Sequence, residues 1–395
     1  MITTGGNRAC VVIDSIVNGT SSGGVRITED ISLDEVKALA REMSLKYGLF
    51  GLPRGGAKSG IRIPADTTTE EKKQILEDFG RSMAPVVVTG IYYPGMDMNC
   101  SSEDLRTIYR GAGINLGKIT DTSYFTALSV ADAIRAWREL ARPGRAPLKV
   151  AIEGFGRVAN HLVKRLPEND YRITAISTAA GAVIGENGFP INALLSYKKE
   201  FGDDLVRKIP GAKTIEKEEV LTADVDILIP SARTWTINEK NAGSVKAKLI
   251  APIANVPYTE EAVVMLHETG IVCLPGFVSN AGSVYASSLF EDGLHLEEIE
   301  QISATYYRTA VKSLLERSEE LKLSPIVLAE KVAIKRFEAK MYHSDAGYRR
   351  AVRAGLDKVR LLKKLSNSAR ARHIVDSLRK LSVDIGSYGE KPIAS

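Results

Sequence analysis

The stretch LKVAIEGFGRVANHLVKRL, residues 148–166, decides how the middle of this chain folds. Leu148 to Ile152 form the apolar run of a buried strand, and a helical pattern begins after the glycines. Because such glycines let a pyrophosphate approach a helix N-terminus, whose N–H groups attract anions, we predict a dinucleotide-binding turn rather than a structural βα turn. The turn consists of Gly154, Phe155, Gly156, Arg157 and Val158, with Ala159 completing the spacing.

Further strand-like segments follow at the spacing of an α/β fold. Those from Val225 onward are nearly unbroken apolar runs, which is typical of parallel strands covered on both faces. We therefore predict a doubly wound parallel sheet over residues 148–285. Its later strands are YRITAIST, VDILIPSA, AKLIAPIAN and GIVCLPGF.

The second strand of such a sheet often ends in Asp or Glu, which binds the ribose 2′-hydroxyl of NAD. Thr178 occupies that position here, and no acidic residue stands beside it. The absence of an acid removes the repulsion that excludes NADP, although no Arg follows closely in sequence. We expect NAD or NADP as cofactor, with NADP or dual use favoured.

Three residues of the N-terminal part stand out against their surroundings. Lys46 continues the apolar stripe of a helix that begins at Ser32, where Glu35 completes a capping box. Lys58 lies among glycines on what reads as a tight loop, and Asp97 lies in a second loop with few charges nearby. A lysine stem at the core edge and a solvated surface turn are the simpler explanations of the two lysines.

The residue composition limits the groups that could bind a metal or transfer protons. The 395 residues include three cysteines and five histidines, none at metal-ligand or disulfide spacing, so no metal site is expected and acid–base work falls to lysine and carboxylates. No apolar run approaches the roughly 20 residues of a bilayer span. The first ten residues lack a signal-peptide layout. We expect a cytoplasmic protein.

The C-terminal part is basic: residues 331–395 hold sixteen Lys and Arg against six Asp and Glu. A nucleic-acid-binding arm is one interpretation. An amphipathic helix that packs on the body or on another subunit is the one we favour, because apolar residues recur there at helical spacing. The stripe consists of Val352, Leu356, Val359, Leu362 and Leu365.

Eight motifs, in order over about residues 10–340, resemble those of the glutamate, leucine, phenylalanine and valine dehydrogenase family. The resemblance implies that Lys46 binds the substrate α-carboxylate, that Lys58 is the catalytic lysine and that Asp97 shuttles protons. The motifs are GGVRI at Gly23, MSLK ending at Lys46, LPRGGAKSG around Lys58, YYPGMDM with Asp97, DTSYFTALSV with Thr126, GFGRVA at Gly154, ANVP at Asn255 and VSNAGSV at Asn280.

The same resemblance places Thr126 at the nicotinamide amide, Asn255 beside the nicotinamide ribose, and Asn280 where it orients substrate. Glutamate-type members carry a lysine for the substrate γ-carboxylate where this chain has Ser22, whereas the serine that assists that carboxylate is retained as Ser287. We therefore expect apolar or small L-amino acids to be preferred over glutamate. A glutamate dehydrogenase with a rebuilt pocket is the alternative.

These observations predict a two-domain α/β enzyme that converts an L-amino acid, water and NAD(P) into a 2-oxoacid and ammonia, reversibly. We expect a catalytic α/β domain at 1–125, a Rossmann dinucleotide-binding domain at 126–290, helices returning to the catalytic domain at 291–341 and a basic helical extension at 342–395. The partners expected are small molecules and further copies of the chain, with no membrane and no nucleic acid. A family-derived regulatory protein that binds nucleic acid through the tail is the rival hypothesis.

Overall fold

A computed structural model describes residues 2–4, 7–117, 119–142, 144, 146–338 and 359–389. The chain divides into two compact units. The first contains Met1–Thr120 and Ala333–Leu365, and the second contains Asp121–Val332 and Ser366–Ser395. The helices that we expected to return to the catalytic domain therefore lie with the second unit as far as Val332.

The first unit is built on a mixed sheet with strand order β1-β2-β4-β3-β5. Strands β3, β4 and β5 are parallel to one another, β2 pairs antiparallel with β4, and β1 pairs antiparallel with β2 at the edge. The elements are β1 (Ile2–Thr4), β2 (Asn7–Ile13), β3 (Ser21–Thr28), α1 (Leu33–Leu49), β4 (Gly55–Arg62), α2 (Thr69–Val88), β5 (Tyr92–Met96) and α3 (Ser102–Gly111).

Side-chain alternation gives this sheet two different faces. One face carries apolar residues such as Val25, Ala57 and Ile61, which pack into one core with Phe79 of α2 and Ile108 of α3. The opposite face carries the alternate residues of the same strands. The functional candidates of this unit lie on that second face.

The second unit contains a seven-stranded sheet with order β12-β11-β10-β6-β7-β8-β9. Its first five strands are parallel, as predicted, but the last two are antiparallel, so the purely parallel sheet was wrong. The reason is the short turn at Ala179–Ala180, which folds the chain straight back. The strands are β6 (Leu148–Glu153), β7 (Tyr171–Thr178), β8 (Gly181–Ile184), β9 (Lys213–Ile215), β10 (Ile227–Pro230), β11 (Leu249–Ile250) and β12 (Val272–Cys273).

Helices surround this sheet and continue beyond it. A π-helical turn at Ser303–Tyr307 joins α10 to α11, and α11 packs on α4 within the second unit. None of the described helices is long and apolar enough to cross a membrane. The helices are α4 (Ser123–Ala141), α5 (Arg157–Val163), α6 (Ile191–Phe201), α7 (Glu260–Glu268), α8 (Gly276–Ser279), α9 (Tyr285–Glu291), α10 (Leu296–Ile302), α11 (Arg308–Leu321), α12 (325–338) and α13 (Val359–Gly386).

Within the described residues the predicted C-terminal extension is helical, as α13. Its buried side chains recur at intervals of three and four residues, which is the pattern of an amphipathic helix packed on a body. Arg317 of α11 donates to the carbonyl of Tyr388, and Arg379 donates to the Tyr306 hydroxyl. Val352 and Leu356 of the predicted stripe lie outside the described residues, and so do the side chains of Val359, Leu362 and Leu365. The buried positions are Ala371, Ile374, Leu378, Leu381 and Ile385.

Candidate active site

The first unit brings Lys46, Lys58 and Asp97 together. Lys46 comes from α1, Lys58 from the middle of β4, and Asp97 directly follows β5; both lysines are only 2% exposed. The loop predicted around Lys58 was wrong, because its glycines serve close packing within a strand. A Cβ on Gly56 would lie 2.2 Å from the backbone nitrogen of Ser44, so α1 can rest on β4 only where the side chain is absent.

A fourth group, Arg26 on β3, joins the cluster and was missed as a member by sequence reasoning. Its Nε lies 3.0 Å from Oδ2 of Asp97, and its NH1 lies 2.8 Å from Oε1 of Glu35. The Lys58 ammonium lies 2.9 Å from the same Asp97 oxygen. Asp97 is therefore held between two cations, and Arg26 ties it to the first turn of α1.

The ion pair between Arg26 and Glu35 explains why only half of the capping box predicted at Ser32 forms. The Ser32 hydroxyl accepts a hydrogen bond from the Glu35 backbone N–H, as predicted. The Glu35 carboxylate instead reaches the Arg26 guanidinium. A charged partner stabilises a buried carboxylate more than a neutral N–H does.

Charge and burial act on the pKa values of this cluster in opposite directions. Burial alone would raise the pKa of Asp97, but Arg26 and Lys58 outweigh it and hold the pKa well below its usual range. Burial, with help from Lys58, lowers the pKa of Lys46 to about 8, although Glu42 and Asp97 oppose the shift. The site therefore contains a firmly ionised carboxylate beside an ammonium that can lose its proton in mildly alkaline solution.

The strand residues beside Asp97 on this face are Gly24 and Gly95, so no side chain covers the sheet there. A Cβ on Gly24 would lie 2.6 Å from the Cβ of Asp97, so no larger residue fits beside that carboxylate. At Gly95, two residues before Asp97, no described atom lies within 4 Å of where a Cβ would stand. On this face the open space therefore begins at Gly95, two residues before Asp97.

Ser22 lies at the other end of that face, at the register position of Tyr93 and Gly56. Its hydroxyl donates to the Tyr93 carbonyl over 2.9 Å. The guanidinium of Arg54 lies 5.2 Å from the centroid of the Tyr93 ring, in a cation–π contact. Arg26 is engaged by two carboxylates, whereas Arg54 contacts the ring of Tyr93, the residue that pairs with Ser22 in the sheet.

The glycine turn of the second unit has the shape that a phosphate needs. Gly154 has φ +90°, and a Cβ there would lie 2.8 Å from the Cβ of Ala232. Gly156 precedes α5 without a side-chain cap, and nothing lies within 4 Å of its Cβ position. The first N–H groups of α5, those of Arg157 and Val158, therefore begin at an open surface, which fits a pyrophosphate.

Two side chains next to this turn bond within the protein. Glu153, at the end of β6, accepts from the N–H groups of Ser231 and Ala232, yet burial raises its pKa. Thr178, at the end of β7, donates its hydroxyl to the carbonyl of Asp203 over 2.7 Å. The Thr178 hydroxyl proton thus binds a protein carbonyl in this structure.

The structure brings Asn255 and Asn280 into contact. The Asn280 amide donates to Oδ1 of Asn255 over 2.7 Å and to the carbonyl of Ile253 over 3.0 Å, which fixes the loop after β11. Val256, the next residue of that loop, has φ +47°, a conformation that a β-branched residue rarely adopts. Strain of this kind is concentrated at functional sites.

Thr126 and Ser287 are both buried, and each hydroxyl donates to a carbonyl four residues earlier in the chain. The Thr126 hydroxyl donates to the Thr122 carbonyl over 2.9 Å, and the Ser287 hydroxyl donates to the Ser283 carbonyl over 2.6 Å. A serine that gives its only proton to a carbonyl has none to offer a carboxylate. Ser287 would have to rotate to assist a charged substrate.

Two family models together match most of the chain. Residues 3–112 match the dimerisation domain of Glu/Leu/Phe/Val dehydrogenases, and residues 113–344 match the glutamate/leucine/phenylalanine/valine dehydrogenases themselves. The chain belongs to this family. It is therefore an amino acid dehydrogenase, an NAD(P)-dependent oxidoreductase acting on a CH–NH2 group, and the predicted activity class is confirmed.

Named relatives agree with this family assignment. The chain is 34% identical over 292 residues to the NADP-specific glutamate dehydrogenase of Saccharolobus shibatae, covering 68% of this chain and 67% of that protein. It is 31% identical over 291 residues to the glutamate dehydrogenase of Thermotoga maritima, covering 69% of each. A solved hetero-hexameric glutamate dehydrogenase from Thermus thermophilus shares the two-domain fold, with a TM-score of 0.73 at 20% identity, over 85% of this chain and 84% of that one.

Proposed function

We propose that this dehydrogenase catalyses the reversible oxidative deamination of an L-amino acid, with Lys46, Lys58 and Asp97 as its catalytic and substrate-binding groups. The observation that carries the proposal is the buried cluster itself. Two buried lysines and a carboxylate held by two cations are expensive to maintain in a core, and they are placed beside a strip of bare sheet.

Each group has a distinct role in the proposal. Lys46 pairs with the substrate α-carboxylate, and this pairing favours its charged form. Asp97, being ionised, accepts a hydrogen bond from the substrate nitrogen and stabilises the positive charge that develops when Cα becomes an imine carbon. In its deprotonated form Lys58 would take the proton from the water that attacks the imine, and its contact with Asp97 would give that proton a route to the departing ammonia.

The second unit supplies the cofactor site in this proposal. A dinucleotide held there would supply the acceptor for the hydride that leaves the substrate Cα. Gly154–Val158 would hold its pyrophosphate, and the Asn280–Asn255 contact would fix the loop beside the nicotinamide ribose. Thr126 would meet the nicotinamide amide, which requires its hydroxyl to exchange its present carbonyl partner.

We further propose that the substrate side chain is apolar or small. A distal carboxylate would need donors, yet the Ser22 and Ser287 hydroxyls both donate to backbone carbonyls and Arg26 is paired with carboxylates. An unpaired buried carboxylate costs several kcal/mol.

Glutamate is the second candidate, and the position of Arg54 favours it. Arg54 lies over Tyr93, next to the position where a γ-carboxylate lysine is missing, and the named relatives are glutamate dehydrogenases. To bind a substrate γ-carboxylate, the Arg54 guanidinium would have to leave its contact with the Tyr93 ring.

The experiment is a comparison of kcat/KM for L-leucine, L-valine, L-alanine and L-glutamate, with reduced cofactor and ammonia both measured. We expect an apolar substrate to lead in the wild type, and Ser22→Lys to raise glutamate activity. If the wild type already prefers glutamate and Arg54→Ala removes that preference, the glutamate alternative replaces the apolar one. No turnover with any L-amino acid would contradict the proposal as a whole.

We also propose a homo-oligomer, because residues 3–112 match a domain that the family uses for dimerisation. Light scattering on the purified chain at several concentrations tests this directly. A monomer at all concentrations would contradict it.

A further inference from the structure

Two cations from distant parts of the chain converge on the turn between β7 and β8. Lys217 donates to the carbonyl of Ala179 over 2.8 Å, and Arg207 donates to the carbonyl of Ala180 over 3.1 Å. These residues stand 38 and 27 positions after the carbonyls that they reach. The turn itself, Thr178–Gly181, carries no acidic side chain.

Two carboxylates near this turn are already paired with cations. Asp204 pairs with NH1 of Arg207 at 2.6 Å, and Asp203 pairs with Lys198. Together with Lys217, these groups make three cations against two carboxylates. The two cations that bond to this turn therefore outnumber the one carboxylate paired with them, and their donors are open to solvent, since the Arg207 side chain is 64% exposed.

Both cations keep hydrogen-bonding capacity beyond these contacts. A guanidinium has five N–H donors in a planar fork, and an ammonium has three. Arg207 uses one donor for the carbonyl and one for Asp204, while Lys217 uses one for its carbonyl. The carbonyl contacts also fix where both head groups lie.

The fold gives this place a particular ligand chemistry. β7 pairs in parallel with β6, the strand that leads into the glycine turn. In a doubly wound sheet the adenosine ribose lies at the carboxyl end of that neighbouring strand; an acid there binds its 2′-hydroxyl, and an arginine there accommodates a 2′-phosphate. Here the strand ends in Thr178, whose proton is donated inward, and cations lie where the acid would be.

We propose that Arg207 and Lys217 bind the 2′-phosphate of NADP and give this dehydrogenase a preference for NADP over NAD. The inference rests on the proposed cofactor role of the second unit. The 3-10 turn Gly202–Arg207 provides the arginine that the sequence near Thr178 lacks, and the 3-10 turn Lys217–Thr222 provides the lysine.

The test is calorimetric titration of the full chain with 2′,5′-ADP and with 5′-AMP, two fragments that differ in the 2′-phosphate. We expect the wild type to bind 2′,5′-ADP at least about tenfold more tightly. Arg207→Ala and Lys217→Ala should each lose most of that difference while their affinity for 5′-AMP stays unchanged. Lys213→Ala, an exposed lysine on β9, is the matched control and should behave as wild type.

A further variant should act in the opposite direction. Asp204→Asn removes the carboxylate that competes for Arg207, so it should bind 2′,5′-ADP more tightly than the wild type. Melting temperatures measured alongside show whether each variant is folded. NADPH and NADH titrations should give the same order as the fragments.

Equal wild-type affinity for the two fragments would overturn the inference. So would equal losses for 2′,5′-ADP and 5′-AMP in both alanine variants, which would show that the cations only hold the turn in place. A wild type that deaminates amino acids with NAD and ignores the 2′-phosphate would leave the proposed function standing and remove this inference alone.

Discussion

Replacing Arg26 by Met tests how the carboxylate of the candidate site is held. The substitution keeps an unbranched side chain of similar reach on β3 but removes the guanidinium. Asp97 then keeps Lys58, whereas Glu35 loses its partner at 2.8 Å. Both carboxylates are largely buried, with side-chain exposures of 17% and 11%, so water can replace the lost partner only in part.

Removing one partner of a buried ion pair typically costs about 3–5 kcal/mol, because the other charge stays buried without compensation. Asp97 keeps a second cation, so we expect about 3 kcal/mol for Arg26→Met. Arg41→Met is the matched control, because Arg41 is 47% exposed and approaches Asp14 only to 3.8 Å. Exposed pairs of this kind contribute about 1 kcal/mol or less.

The difference between wild type and Arg26→Met should depend on pH in a defined direction. The pKa of Asp97 is lowered in the folded protein, so this residue stabilises the fold above its ordinary pKa, and the effect is lost as pH falls through the folded value. Without Arg26 the pKa of Asp97 rises. The stability gap should therefore be largest near neutral pH and should shrink below about pH 4.

The assay is urea unfolding of both variants at several pH values, followed by circular dichroism. Urea is preferred because it leaves ionic contacts unscreened. An Arg26→Met protein as stable as Arg41→Met at neutral pH would refute the reasoning. A gap that stays constant as pH falls would also refute it, because the gap would then come from packing alone.

Four further predictions concern other parts of the molecule. Lys46→Arg should keep its substrate affinity at alkaline pH. In the wild type, KM should increase once the pH exceeds about 8, because the Lys46 ammonium loses its proton there; parallel KM profiles of the two proteins would contradict this. Glu153→Gln should have a larger free energy of unfolding than the wild type at neutral pH and an equal one below about pH 4. The raised pKa of Glu153 makes the wild type lose stability as pH rises, and unfolding measured at both pH values checks this. Val256→Gly should stabilise the protein by about 1 kcal/mol by relieving the positive φ, and a lower melting temperature would contradict that. Deleting residues 342–395 should lower the melting temperature while cofactor binding persists, since the described part of α13 buries an apolar row; identical melting would show that α13 contributes nothing to the fold.

Much of the fold could be predicted because local patterns agree with the tertiary structure. From Leu148 onward the predicted strand, glycine turn and helix all form. Lys46 is buried, as its position in the apolar stripe of α1 predicts. In each case the deciding contacts lie within a few residues of one another.

The errors arise where a distant contact overrides the local pattern. Glycines around Lys58 predict a loop, yet they form a strand because α1 packs against them. Glu35 fits a capping box, but Arg26 on β3 takes its carboxylate. The cations at the β7–β8 turn come from 27 and 38 residues away, a distance at which no sequence motif connects them.

The central claim is that Lys58 and Asp97 perform proton transfer on an amino acid. Its most direct test is single-turnover formation of reduced cofactor and ammonia by the wild type, Asp97→Asn and Lys58→Ala, with Lys37→Ala on the exposed face of α1 as control. We predict one ammonia for each reduced cofactor in the wild type, a loss of about 10²-fold or more in Asp97→Asn and Lys58→Ala, and unchanged cofactor affinity in all four proteins. Wild-type rates in either active-site variant would contradict the account.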